Sequence, residues 1–247
     1  MNSTQQRLNE MLIWFDEFCR ENDIKYWLSS GTCLGAVRHQ GFIPWDDDVD
    51  VAMMRDDYLK FKSLFKENEN YVLQNYENDD FYTSPSAKLR DKHSFLEEAD
   101  GNDVNFKYRG VFVDLFCQEE INAMPAKLFL HLRWKLTCIA AKTNLSPAQK
   151  AFFKIRKKLL YAVISISRVI LKPFPSRQIR FSYGGGWLEE HYSKDMLFPL
   201  GKATFEGRQY PVPADTDRYL KVIYGDTYMV PPAPEDIHIH ADKVTIE

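Results

Sequence analysis

Within the five residues Asp46-Asp47-Asp48-Val49-Asp50 the sequence places four carboxylates in an otherwise apolar stretch, between Phe42-Ile43-Pro44-Trp45 and Val51-Ala52-Met53. An aspartate run is usually a solvated loop, but flanks this apolar belong to a core. In an extended strand side chains alternate, so Asp46, Asp48 and Asp50 would share one face while Val49 and Val51 point inward. Carboxylates two residues apart on a rigid strand repel each other unless a hard cation sits between them. Mg2+ or Mn2+ accepts such oxygen ligands and leaves room for substrate phosphates. A calcium loop is excluded, because no Gly follows at the sixth position of the run and no Glu at the twelfth.

Just upstream, Ile24 to Leu28 reads as a strand, and Ser29-Ser30-Gly31-Thr32 turns out of it into a short helix over Thr32 to His39, stopped by Gly41. A helix N-terminus placed after a strand offers free backbone N–H groups, where phosphate binds well. Ser30, Gly31 and Thr32 are therefore candidate substrate contacts. Downstream, Ser86 to Arg90 alternates and puts Lys88 and Arg90 on one face of a strand, either as plain exposed alternation or as two cations aimed at a phosphate. The apolar strand from Val111 to Phe116 contains a single acid, Asp114. A buried carboxylate needs protonation, a base or a metal. A structural ion pair would answer that need, but the expectation is that Asp114 joins Asp48 and Asp50.

The first helix is expected to open on a capping box of Ser3 with Gln6, with Leu8, Met11, Leu12, Phe15, Phe18 and Cys19 on its apolar face. A helix from Arg55 to about Phe65 and a strand from Tyr71 to Asn75 follow. Helices are expected over Lys127 to Ala141 and Ser146 to Leu171, the second with Ser146 as N-cap and Pro147 at its first position. A small hairpin over Ala203–Gly207 and Gln209–Pro213 precedes a last helix, Asp217 to Tyr224, capped by Asp215 or Thr216 and stopped by Gly225. Gly184-Gly185-Gly186 is a loop too isolated to cradle phosphate. His238-x-His240 has no third ligand near it in sequence and reads as an ordinary polar strand face.

The formal net charge of −3 conceals a segregation. From Ile121 to Leu188 there is no Asp or Glu and there are 13 Lys and Arg, which leaves −16 on the remainder. Such a stretch calls for a negatively charged partner. Nucleic acid is the poorer fit, because the cations flank apolar helices and do not interleave with aromatics on a sheet. An anionic membrane surface fits better, since the Leu159–Leu171 run is too short to span a bilayer but suits its interface. The four cysteines are far apart, with no Cys-x-x-Cys pair, and the N-terminal residues lack a basic-then-apolar leader. Both point to a reducing, cytoplasmic location with peripheral contact at the inner face of the membrane.

Several of these segments together resemble the LicD family of phosphotransferases, which includes bacterial phosphorylcholine transferases and eukaryotic fukutin-related ribitol-phosphate transferases. The resemblance is carried by Gly31-Thr32-Cys33-Leu34-Gly35-Ala36-Val37-Arg38-His39, Gly41-Phe42-Ile43-Pro44-Trp45-Asp46-Asp47-Asp48-Val49-Asp50 and Phe112-Val113-Asp114-Leu115-Phe116. It continues at Phe205-Glu206-Gly207 and from Tyr224-Gly225-Asp226 to Pro231-Pro232. It is weakest over the basic helices, and the zinc-finger cysteines of the fukutin-related branch are missing. The resemblance implies an α+β, nucleotidyltransferase-like mixed sheet flanked by helices, with a basic helical insertion. The corresponding division is a catalytic core over 1–120, a basic segment over 121–188 and a completing hairpin and helix over 189–247. It also implies transfer of an alcohol phosphate from a CDP-alcohol to a hydroxyl of a glycan or glycolipid, releasing CMP. Asp48, Asp50 and Asp114 would then bind Mg2+ or Mn2+ and act catalytically, with Asp46 as an outer ligand or a group that helps position the acceptor. Arg38, Lys88 and Arg90 would meet the donor phosphates and Trp45 would wall the site, with Phe42 or Tyr26 as further aromatic contacts for a choline donor.

Overall fold

The computed structural model describes the chain except for Pro175, Gly184, Gly186, Trp187, Leu188, Glu189, His238, His240 and Glu247. The His238-x-His240 pair and most of the triple glycine lie outside the described residues. Helix α1 (Ser3–Glu21) is capped one residue earlier than expected. The Asn2 side chain accepts from the Gln5 N–H at 2.8 Å, and the Gln5 side chain accepts from the Asn2 N–H at 3.2 Å. Asparagine is among the strongest N-caps, so it takes the position from the serine that follows. Leu8, Met11, Leu12, Phe15 and Cys19 are buried, as their spacing predicts.

After α1 come β1 (Trp27–Leu28), α2 (Ser30–Arg38), β2 (Val49–Met54), α3 (Arg55–Leu64), β3 (Tyr71–Gln74), β4 (Ala87–Asp91), β5 (Ser94–Glu98) and β6 (Phe112–Glu120). Then follow α4 (Ala123–Ala140), α5 (Pro147–Leu171), β7 (Gln178–Phe181), β8 (Tyr192–Ser193), α6 (Lys194–Leu197), β9 (Gly201–Phe205), β10 (Arg208–Val212), α7 (Thr216–Tyr224) and β11 (Ala241–Ile246). Strand β1 is shorter than predicted, because the Ile24 N–H is still held by the Cys19 carbonyl at the end of α1. Helix α2 ends differently too. Its left-handed residue is Gln40 (φ 58°), while at Gly41 a Cβ would lie 2.2 Å from Glu206 Oε1. Gly41 thus leaves room for the Glu206 carboxylate that accepts from the Phe42 N–H, and its φ is not what calls for a glycine.

Among the described residues seven strands form one mixed sheet, in the order β1-β2-β6-β4-β3 with β7 and β8 continuing from the far end of β6. The architecture is α+β. Strand β2 runs parallel to β6 with Asp50 paired to Asp114, and β4 runs antiparallel to β6 with Lys88 paired to the same Asp114. Register alone therefore lines up two carboxylates and an ammonium across three strands. Val49, Val51 and Val113, at the alternate positions, are fully buried under α1 and α3 residues such as Phe15 and Phe61. Two small antiparallel pairs complete the fold, β9 with β10 and β5 with β11.

Helices α4 and α5 bury one side each in a second apolar cluster that includes Phe129, Leu136, Phe153, Leu160 and Ile164. Ser146 and Gln149 form the capping box of α5, with Pro147 at its start. The Tyr161 hydroxyl donates to the Thr83 carbonyl at 2.7 Å, Tyr161 stacks on Tyr76 at 3.6 Å, and Arg168 pairs with Glu119 at 2.7 Å. The inner face of α5 is thereby fixed to the sheet and its loops.

Arg90 departs from the expectation that it faces a donor phosphate. It is 0% exposed, and its donors are used on Gln74 Oε1 (2.8 Å), the Gly110 carbonyl (2.9 Å) and Glu98 Oε1 (2.8 Å). A buried guanidinium must have its donors satisfied, and here they tie β3, β4 and β5 together. Burial raises the Glu98 carboxyl, but Lys88 and Arg90 prevail and hold it down to about 2. Its stabilisation is therefore present above the ordinary glutamate value of 4.5 and is lost as pH falls toward 2. Glu98→Gln is expected to cost on the order of 3 kcal/mol at neutral pH. Urea unfolding across pH checks this, and the gap to the wild type should close at the acid end.

Candidate active site

Three elements bring acids to one place, and each does so for a local reason. Asp50 sits in β2 with its N–H donating to Thr32 Oγ1 at 2.8 Å, so the buried Thr32 clips the strand to α2. Asp114 is its neighbour on β6. Asp46 and Asp48 are not in the strand, which begins at Val49, so strand alternation does not account for their position. A turn closed by the Asp46 N–H on the Ile43 carbonyl (2.9 Å) replaces the expected extension. Gln5 of α1 then holds that turn, donating to the carbonyls of Ile43 at 3.2 Å and Asp46 at 3.0 Å. Asp47 points elsewhere and accepts from the Ala241 N–H at 2.8 Å, anchoring β11.

One oxygen from each of Asp48, Asp50 and Asp114 can be chosen so that all three lie within 4.8 Å of one another. Asp50 is buried, and its carboxyl is pushed well above the usual aspartate range by that burial and by the charges of Asp48, Asp114 and Asp46; Lys88 opposes this and does not offset it. Lys88 Nζ lies 3.7 Å from Asp114, 3.2 Å from Glu98 and 3.3 Å from the centre of the Phe112 ring. It therefore supports Asp114 from behind, and it is not among the residues that line the adjoining cavity. For Asp114 both sequence readings apply, since it has a lysine partner and also joins the other carboxylates.

The cavity over the acids has a volume of about 910 Å³. Ser30, Gly31, Arg38, Trp45, Asp46, Asp48, Asp50 and Asp114 line it; Thr32, Lys88 and Arg90 do not. Phe42 and Tyr26 are likewise absent from its wall. Phe42 packs on Phe205 at 4.8 Å, and the Tyr26 hydroxyl donates to the buried Asp16 at 2.6 Å. The start of α2 is not an open anion hole either. A Cβ on Gly31 would lie 3.1 Å from Asp46 Oδ2, so a carboxylate already occupies that approach, and Ser30 there adopts a left-handed φ of 41°. Strain at such a residue persists only where its surroundings hold it. Arg38 Nη1 donates to the Tyr228 carbonyl at 2.9 Å, which ties the cation to the far wall.

Sequence reasoning missed most of that far wall. Tyr224, Thr227, Tyr228, Val230 and Pro232 line it, and so do Phe116, Phe181 and Glu190. Desolvation at the cavity wall and the charges of Asp50, Asp46 and Asp48 raise the Tyr224 hydroxyl, although the residue as a whole is 41% exposed. Glu190 is buried, accepts from the Tyr192 hydroxyl at 2.9 Å, and is pushed up by burial. The Tyr224–Pro232 motif was the available signal for the tyrosines. Nothing in the sequence around Glu190 marked it.

A family model described as LicD/FKTN/FKRP, nucleotidyltransferase domain, matches residues 23–157. The lipopolysaccharide cholinephosphotransferase LicD of Haemophilus influenzae is 30% identical over 257 residues, covering 96% of this chain and 94% of that protein. The chain belongs to the LicD family of phosphotransferases. More distant members match in part. The ribitol-5-phosphate transferase FKTN of Mus musculus is 28% identical over 113 residues, 45% of this chain and 21% of its own. The human ribitol 5-phosphate transferase FKRP is 50% identical over 34 residues, 14% of this chain and 7% of its own.

For the metal implied in this family, the donor set provides the test of fit. Three carboxylate oxygens within 4.8 Å of one another in a partly enclosed site suit a hard divalent cation. Asp48, Asp50 and Asp114 would hold it. Mg2+ or Mn2+ is therefore expected to raise the melting temperature of the chelator-treated protein by several degrees. Asp50→Asn should abolish the rise while leaving the chelated protein at least as stable as wild type; differential scanning fluorimetry checks both.

Proposed function

We propose that this chain transfers phosphocholine from CDP-choline to a hydroxyl of a cell-surface glycan such as lipopolysaccharide or teichoic acid, releasing CMP. The single observation that carries the reading is the acid-floored cavity, with its three convergent carboxylates, in a chain collinear with a lipopolysaccharide cholinephosphotransferase. In the reaction the acceptor oxygen bonds to the phosphorus that bears the alcohol. The P–O bond to CMP breaks, and CMP departs with the bridging oxygen. The acceptor proton passes to Asp48 or Asp114, the half-buried carboxylates on the cavity floor. A bound Mg2+ or Mn2+ supplies charge neutralisation on the phosphoryl oxygens. Arg38, drawn into the wall by Tyr228, adds positive charge toward the pyrophosphate. The aromatic and aliphatic walls keep water off the phosphoryl group, which would otherwise be hydrolysed.

The far wall favours choline over a polyol. Phe116 and Phe181 meet edge to face at 5.1 Å, and Trp45, Tyr224, Tyr228 and Glu190 line the same space. A quaternary ammonium gains about 0.5–2 kcal/mol from an aromatic face and more from a carboxylate. Ribitol or glycerol phosphate from the CDP-polyol is the second reading, favoured by the partial matches to ribitol-phosphate transferases.

The experiment measures CMP release from a panel of CDP-alcohols with glycolipid acceptor present. CDP-choline should turn over, and Asp48→Asn should lose about a thousandfold or more in rate, a deficit of about 4 kcal/mol. Turnover of CDP-ribitol or CDP-glycerol in place of CDP-choline would leave the reaction class standing and replace the alcohol. Pyrophosphate release from a nucleoside triphosphate would overturn the class. Glu190→Gln should raise the KM for CDP-choline about tenfold while kcat changes little, as expected for lost ground-state attraction. An unchanged KM would remove Glu190 from choline recognition.

A further inference from the structure

The outer side of the α4–α5 hairpin is apolar and uncovered. Along α5, Phe152, Ile155, Leu159, Val163, Ile166 and Ile170 recur every three or four residues, which places them in one stripe. Each is exposed, Val163 by 42% and Ile170 by 64%, while Phe153 and Ile164 on the other side are buried. Helix α4 adds Met124, Leu128 and Leu132, which recur every four residues and are all exposed. Leu132 and Leu136 of α4 and Leu159 and Val163 of α5, with Arg156, line an open groove of about 220 Å³ that joins the two helices. An apolar surface this extended on one face marks an interaction site.

The charge around it selects the occupant. At 3.6 residues per turn, Arg156 and Lys158 fall on opposite sides of the α5 stripe. Both are exposed, as are Lys127, Lys135, Lys150 and Lys172 on or beside the two helices. Not every cation of the stretch is available. Lys157 is buried and donates to the Asp79 carbonyl, Arg168 pairs with Glu119, and Lys154 with Asp80. No acid lies between Ile121 and Leu188 to neutralise the rest. A second copy of the chain seated here would set like charges against each other, whereas an anionic lipid surface offers both phosphates for the cations and acyl chains for the stripe. Among the described residues no helix is long and apolar enough to cross a membrane, so the hairpin would lie flat in the interface.

We infer that the outer face of the α4–α5 hairpin docks the protein on an anionic phospholipid membrane. The inference does not depend on the reading of the cavity. The test is flotation of the full chain with vesicles of phosphatidylcholine alone and of phosphatidylcholine with phosphatidylglycerol. The protein is expected to float with the anionic vesicles and much less with the neutral ones, and added salt should weaken binding. Leu159→Glu with Ile166→Glu, both at exposed positions, should lower partitioning by about tenfold or more at an unchanged melting temperature. If that variant does not fold, Arg156→Glu with Lys158→Glu tests the same face and should lose about tenfold or more on anionic vesicles. Equal flotation on both vesicle types, no flotation of the wild type, or unaltered binding by whichever folded variant is used would overturn the inference. So would a solution dimer that the substitutions dissociate, which would make the face a contact between copies.

Discussion

Electrostatic repulsion at Asp50 is the constraint on which much of the remaining structure depends. Strand pairing sets Asp50 beside Asp114, and the loop before β2 adds Asp48 and Asp46, so four acids crowd one end of a parallel strand pair. Carboxylates at this density would not settle in an apolar sheet without compensation. The surrounding design restrains them. Thr32 accepts the Asp50 N–H, Lys88 stands behind Asp114, and Glu98 and Phe112 hold Lys88 in place. Arg90, bonded to Glu98, Gln74 and the Gly110 carbonyl, fixes the strands that carry these groups. The polar network is therefore layered. Acids face the cavity, one cation sits beneath them, and a saturated ion pair lies below that.

This layering also indicates which parts of the site can be read from a sequence and which cannot. Asp114 was legible because a lone acid in an apolar strand has few reasons to be there, and Asp50 because alternation holds within β2, where it sits between Val49 and Val51. Asp46 and Asp48 were found for a reason that the fold does not use. The strand starts at Val49, and Gln5, more than forty residues upstream, shapes the turn that presents them. Arg90 was misplaced because alternation shows which residues share a face without showing whether that face meets solvent, a cavity or an acid. Phe42 and Tyr26 were likewise assigned to the cavity as aromatics near the motif, yet both serve the core. Glu190 was not legible at all, since it lies outside the strands, just before β8, where no periodicity marks a residue as facing the cavity.

The same distinction holds for the helical segment. Helix α4 begins at Ala123, four residues before the expected Lys127, but the lack of acid and the Ser146-Pro147 start of α5 could be read directly, because caps and composition are local properties. Which side of α5 faces inward could not, because the run from Leu159 to Leu171 is apolar nearly all round. Tertiary partners decide it. Tyr76, Thr83 and Glu119 take Tyr161 and Arg168, and the opposite stripe is left outward by elimination.

The bond from Asp47 to Ala241 has a consequence for how the site responds to events elsewhere in the chain. Asp47 lies between Asp46 and Asp48, and the strand that it anchors, β11, pairs with β5, which carries Glu98. Glu98 in turn holds Lys88 against Asp114. A closed loop of contacts thus runs from the acidic turn through the C-terminal strand and back to the opposite carboxylate. Strand β11 therefore touches the surroundings of the acid cluster from two sides, through Asp47 on the turn and through the strand that carries Glu98.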